Sequence, residues 1–176
     1  MKLTFCYYGN PILRKKGETI TEITDEIRDL AISMIDYFDN NNGIGLSAQQ
    51  VGKALKLFVL RRYIHLPDGK WTTSEPYVYI NPKIVARSKE TWVEDECCMS
   101  LPKLYLPVER PLKIKIESTN LEGHRIVEEI EGINARVIMH ENDHVNGVLF
   151  IDRVEDKYLK LAEGKLREIK KKYNST

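Results

Sequence analysis

The chain has no apolar run approaching the roughly 18 residues that a membrane-spanning helix needs. Its opening stretch, "MKLTFCYYGNPILRKK", has neither a long apolar core nor a small-residue cleavage site, which argues against secretion and for a cytoplasmic protein. Cysteine is scarce and odd in number, with Cys6, Cys97 and Cys98 the only three. Such a set builds no disulfide framework and fits a reducing compartment, where a cysteine is buried, reactive or metal-bound. An excess of either charge is missing too. Lys and Arg number 27 against 26 Asp and Glu, so bulk electrostatics predict no specific nucleic-acid partner. There are no repeats, low-complexity tracts or evident linkers. What remains is a 176-residue chain, 42% hydrophobic and 30% charged, which suits one domain, 1–176, with a sizeable core.

The pattern of apolar residues predicts the elements. "TDEIRDLAISMIDYFDNN" spaces Ile27, Leu30, Ala31, Met34, Ile35 and Phe38 for a helix, with Thr24 as N-cap and Asp25 and Glu26 where the dipole favours anions. A glycine-punctuated segment, "GIGLSAQQVG", follows. "LKLFVLRRY" predicts a strand by apolar alternation, "PYVYINPKIV" a strand interrupted at Pro82, and "TWVEDECCMSL" an extended segment. "LKIKIESTNLEGHRIVEEIEG" alternates on both sides of "NLEG", the pattern of a hairpin. A helix follows from about Ile133 to Asn146, stopped by Gly147. Leu159, Ala162, Leu166, Ile169 and Tyr173 give a last, amphipathic helix. The expected class is α+β: mostly antiparallel strands around a central helix, with an N-terminal and a C-terminal helix.

Two of the four histidines fall within "VIMHENDHVNGVLF". At about 100° per residue, His144 lies only about 40° around the helix from His140, so both imidazoles reach one ion. Glu141 sits on the flank between them, placed to take a proton from water at that ion without ligating it. A solvated helix that happens to carry two histidines is the plain alternative. It fits poorly, because Ile133 and Val137 share the stripe, and a buried face would not hold two imidazoles without partners.

Two ligands need a third. His65 beside "LPDGK" and His124 after the hairpin turn read as exposed bystanders, and Cys6, in a strand-like stretch, as a small core residue. That leaves "EDECCMSL". Thiolate and imidazole together suit zinc or ferrous iron, and an open fourth position makes such a site catalytic. In an extended segment Cys97 and Cys98 point to opposite faces, so only one can meet the ion; spacing does not say which.

Here the sequence resembles the peptide deformylase family. "GIGLSAQQ", Gly43 to Gln50, is similar to the family's Gly-x-Gly-Leu-Ala-Ala-x-Gln motif. "ECCMS", Glu96 to Ser100, resembles Glu-Gly-Cys-Leu-Ser, and "MHENDHV", Met139 to Val145, resembles Gln-His-Glu-x-Asp-His-Leu. "PILRKK", "INP" and "GVLFIDR" extend the likeness along nearly the whole chain. The resemblance implies one divalent ion held by Cys98, His140 and His144. Ferrous iron is the commonest in the family, with zinc, nickel or cobalt as substitutes. It implies removal of the N-formyl group from the initiator methionine of nascent formyl-methionyl peptides. Glu141 would be base and acid, while the Gln50 amide and Met99 N–H would stabilise the oxyanion. Ile44, Gly45, Cys97, Ile133 and Val137 would border the substrate, and Arg110 would pair with Glu96. A basic C-terminal helix, "KLREIKKKY", would offer a ribosome contact.

Cys97 stands where the family has glycine, and Tyr105 where many members carry a peptide-contacting arginine. A non-catalytic or altered-specificity metal or peptide binder is therefore the alternative. A metallopeptidase would want another His or Glu ligand downstream, and no histidine follows His144.

Overall fold

Thr24 begins the first helix as its sequence predicts. In the computed structural model, which describes residues 1–174, its side chain accepts the Ile27 N–H at 3.4 Å, and α1 runs Asp25–Asn40. The last two positions of the expected domain, 175 and 176, lie outside the described residues. After α1 come β1 (Gly45–Ser47) and β2 (Leu57–Leu60), then a short hairpin, β3 (Tyr63–His65) and β4 (Trp71–Thr73). Next are β5 (Tyr77–Arg87), β6 (Thr91–Cys98), β7 (Leu101–Pro111), β8 (Lys113–Thr119) and β9 (Arg125–Glu131). Two helices close the chain, α2 (Gly132–Val145) and α3 (Asp156–Asn174). The class is α+β, and every strand ladder is antiparallel.

One sheet runs in the order β1-β2-β5-β8-β9. The alternation expected of β2 is instead a continuous apolar run, because both its faces are covered. Leu57 and Val59 pack with Leu30, Met34 and Phe38 of α1, while Phe58 and Leu60 pack with Ala135, Ile138 and Met139 of α2. Each such side chain contributes about 1.5–3 kcal/mol when fully buried, so β2 ties both helices to one sheet. The break expected at Pro82 is a bulge rather than a strand end: Asn81 takes φ 51°, and the register with β8 shifts between Ile80 and Lys83. His65 ends β3 rather than sitting in a loop, and it is exposed, as is His124. Cys6 is core, but its stretch is not a strand; its N–H donates to the Gln50 carbonyl at 2.8 Å.

β7 is absent from the sequence reading, since Pro102, Pro107 and Pro111 disguise it. It is tolerated because β6 and β7 form a two-stranded ribbon with free outer edges, where a missing N–H breaks no ladder bond. The ribbon packs Leu101, Leu104, Leu106 and Val108 onto Ala162, Leu166 and Ile169 of α3. Helix α2 is thereby held between the large sheet and the ribbon. No helix among the described residues is long and apolar enough to cross a membrane.

Candidate active site

Strand alternation decides between the neighbouring cysteines. Cys97 is exposed, and Cys98, at the end of β6, is buried and turned toward α2. Its Sγ lies 3.3 Å from His144 Nε2, and the donor atoms of Cys98, His140 and His144 all lie within 4.8 Å of one another. Sulfur and nitrogen bound tetrahedrally to one zinc-sized ion are separated by about 3.5 Å, so this donor set fits such an ion.

Glu96, two residues before Cys98 on the same face of β6, prepares the first imidazole. Its Oε1 receives His140 Nδ1 at 2.9 Å, which leaves Nε2 for the ion. Arg110 donates to both Glu96 oxygens, at 2.6 and 2.9 Å, and Arg136 donates to Oε2 at 2.7 Å. Arg110 also reaches Asp143 of α2 at 2.8 Å, and Arg153 holds Asp143 from the other side. Burial pushes the Glu96 carboxyl up, yet Arg110 and His140 outweigh it and hold the group well below the usual carboxylate range. Burial opposes charge on both imidazoles. It prevails on His144, whose pKa falls well below the usual value. On His140 the Cys98 sulfur and Glu96 prevail and hold the pKa well above it.

The other groups close in around these three. Gln50 is 2% exposed, not the surface residue a lone glycine motif would suggest. Its Oε1 accepts from Ser47 N–H at 2.9 Å, so the amide nitrogen faces the other way, toward Ser100 Oγ at 3.1 Å and Cys98 Sγ at 3.6 Å. Ser100 gives its own proton to the Cys6 carbonyl at 2.8 Å, which leaves it an acceptor for Gln50. Glu141 is 4% exposed, and its Oε2 has no hydrogen-bond partner among the described residues. Desolvation pushes its pKa up to about 7, against a smaller lowering by His140. A cleft of about 280 Å³ opens over this cluster, lined by Gly43, Ile44, Gly45 and Met99 on one side and Ile133, Val137 and Glu141 on the other, with Cys97 at the wall.

Residues 2–160 match the sequence profile of polypeptide deformylase. The chain belongs to the polypeptide deformylase family. It is 38% identical over 174 residues to a peptide deformylase of Acinetobacter baumannii, covering 94% of this chain and 95% of that one. It is 36% identical to one from a Thermotoga species, covering 92% and 93%. Among solved structures, peptide deformylase 1B of Arabidopsis thaliana, in complex with an inhibitor, matches at TM-score 0.87, with 35% identity over 97% of this chain and 92% of that one. The Plasmodium falciparum peptide deformylase matches at TM-score 0.88, with 32% identity and 98% of each chain covered. A metal cofactor follows from family and donor set together.

The residues the sequence assigned to this deformylase site lie at the cluster or along the cleft, whereas Tyr105 is exposed on β7 and not part of the cleft lining. The sequence reading missed those that hold the site in shape. Ser47 and Ser100 stood unassigned inside quoted motifs, while Arg136 and Asp143 lie four residues before and three after His140, a helical spacing that would have shown them. Gly45 is explained by space rather than by φ. A Cβ there would meet Glu141 Oε1 at 3.0 Å and Leu60 Cβ at 3.2 Å. Gly45→Ala is therefore expected to displace the Glu141 carboxylate and lower kcat about tenfold or more, because small misplacements of catalytic groups are costly. Steady-state rates of the metal-loaded variant test this; an unchanged kcat would show that residue 45 does not confine Glu141.

Proposed function

We propose that this deformylase acts, with one metal ion, on nascent formyl-methionyl polypeptides, hydrolysing the formyl amide of the N-terminal methionine and releasing formate. A single observation carries the reading: a cysteine sulfur and two imidazoles converge beside a buried carboxyl group with an unpartnered oxygen, at the floor of an apolar cleft.

In this reading Cys98, His140 and His144 hold the ion, which we assign as ferrous iron, replaceable by zinc, nickel or cobalt. When bound, such an ion acidifies water and polarises a carbonyl. Glu141 takes the proton of the attacking water and hands it to the departing amine, a role that suits a carboxyl titrating near neutrality. The Gln50 amide and the Met99 N–H receive charge developing on the formyl oxygen; losing one such donor costs about 2.7–4 kcal/mol of barrier. Ile44, Ile133 and Val137 border an unbranched side chain, and Cys97 flanks the peptide. β1 is the end strand of its sheet, so the backbone at Gly45 has a free edge for an extended substrate. Residues 1–176 act as one domain, in the cytoplasm, and the lysines at the end of α3 are our candidate for contact with the ribosome.

A binder disabled by Cys97 is not favoured, because that side chain points away from the donor set and Glu141 and Gln50 are intact. Protein loaded anaerobically with Fe²⁺ is expected to release formate from formyl-Met-Ala-Ser and to leave acetyl-Met-Ala-Ser untouched. Fully loaded protein that released no formate would defeat the assignment.

A further inference from the structure

Arg136 has no part in the chemistry above, yet it is a cation only 2% exposed at the junction of α2 and the ribbon. Its Nη1 donates to Glu96 Oε2 at 2.7 Å and to the Val108 carbonyl at 2.8 Å; Nη2 donates to the Trp92 carbonyl at 2.8 Å. The guanidinium also lies 4.4 Å from the centre of the Trp92 ring. It thus spans both strands of the ribbon that carries Cys98, from the helix that carries both histidines. An apolar side chain could fill such an interface without the cost of burying charge. The charge is spent on Glu96, whose other oxygen receives His140.

We propose that Arg136 is a positioning residue for the metal ligands: with Arg110 it fixes Glu96 in one orientation, and Glu96 aims the His140 ring at the point shared with Cys98 and His144. Arg110 grips both Glu96 oxygens from within the ribbon, and Arg136 adds the one cation that ties Glu96 to α2; without it the carboxylate follows the ribbon alone and can shift relative to His140. Its Oε1 is then no longer a fixed acceptor for Nδ1. Outer partners of this kind typically change metal affinity 10- to 100-fold. The inference rests on the ligand assignment made under the proposed function.

The test is cobalt titration of the metal-free full-length protein, followed by thiolate-to-cobalt absorption, with thermal unfolding of each metal-free variant alongside. Arg136→Met is expected to raise the cobalt Kd 10- to 100-fold and also to lower the metal-free Tm, since removing one partner of a buried charge cluster leaves the others underpaired. In a Glu96→Gln background the same substitution should change Kd less than threefold. A purely structural staple would show only the lowered Tm, with an unchanged Kd, and would overturn the proposal. So would an equal loss in both backgrounds. Should Arg136→Met not fold, Arg136→Lys decides: keeping the charge on Glu96, it should stay within threefold of the parent, and a tenfold weakening would overturn the idea. If the parent protein binds no cobalt, the ligand assignment fails and this inference with it; a parent that binds beside an unaffected Arg136→Met removes only the latter.

Discussion

Replacing Glu141 by glutamine is expected to lower kcat by about 10³–10⁴ while leaving the bound metal in place. The carboxylate serves two proton transfers, and each such role is typically worth 10²–10⁴ in rate. Glutamine keeps the shape and removes the base. The metal stays because Glu141 is not among the three converging donors. The same substitution should reveal what the carboxylate costs the fold. In the metal-free protein burial raises its pKa from 4.5 to about 7. An acid whose folded pKa is raised destabilises the fold as pH climbs past its unfolded value, and the penalty is complete above the folded one. The glutamine variant should therefore match the parent in stability near pH 4 and exceed it at pH 8, by an amount on the order of 3 kcal/mol and with a correspondingly higher Tm. Formate release and paired melting curves at the two pH values measure both effects. Retained activity would remove Glu141 from the mechanism; equal melting temperatures at pH 8 would show that its burial carries no penalty.

How many faces of an element are covered decides which parts of the fold could be read in the sequence. α1, α3 and the β8–β9 hairpin obey their local patterns, since a half-covered face imposes a period of 3.6 or 2, whereas α2, covered on both sides, is legible by its histidine spacing and the glycine that stops it. β2 breaks alternation because helices cover both its faces, and a single sequence does not announce a second cover. β7 hides behind three prolines that only a free ribbon edge allows. At the site, the i,i+4 histidines are legible because the ligands share one helix. Cys98 was not separable from Cys97 by spacing. The choice follows from the fold around β6, which buries residues 96 and 98 and leaves residue 97 exposed. Arg136 and Asp143 were missed because a charged residue in a helix usually means solvent. Here each has a buried, oppositely charged partner contributed by the ribbon.

The two cysteines give the sharpest contrast available in this chain. Cys98→Ser is expected to weaken metal binding at least a hundredfold, whereas Cys97→Ser should leave it within threefold. A serine hydroxyl is a poor ligand for a soft or borderline ion, and two imidazoles alone leave it underbound. Spread over four ligands, the 10–16 kcal/mol of a structural zinc site amounts to about 3 kcal/mol or more for each. The thiol next door cannot substitute. To bring Cys97 inward, β6 would have to slip by one residue, turning Glu96 and Cys98 outward together and separating Glu96 from Arg110, Arg136 and His140. Weaker binding also removes stability: at a thousand times the parent's Kd the ion adds about 4.1 kcal/mol to the parent but only about 1.4 to a variant weakened a hundredfold, a difference of about 2.7. For a chain of this length that corresponds to a Tm roughly 5–11 °C lower for Cys98→Ser than for the loaded parent. Metal titration and melting of both variants at one fixed ion concentration decide the matter. If Cys97→Ser loses the ion while Cys98→Ser keeps it, the strand is out of register with the helix that bears the histidines, and the site is not the one assigned.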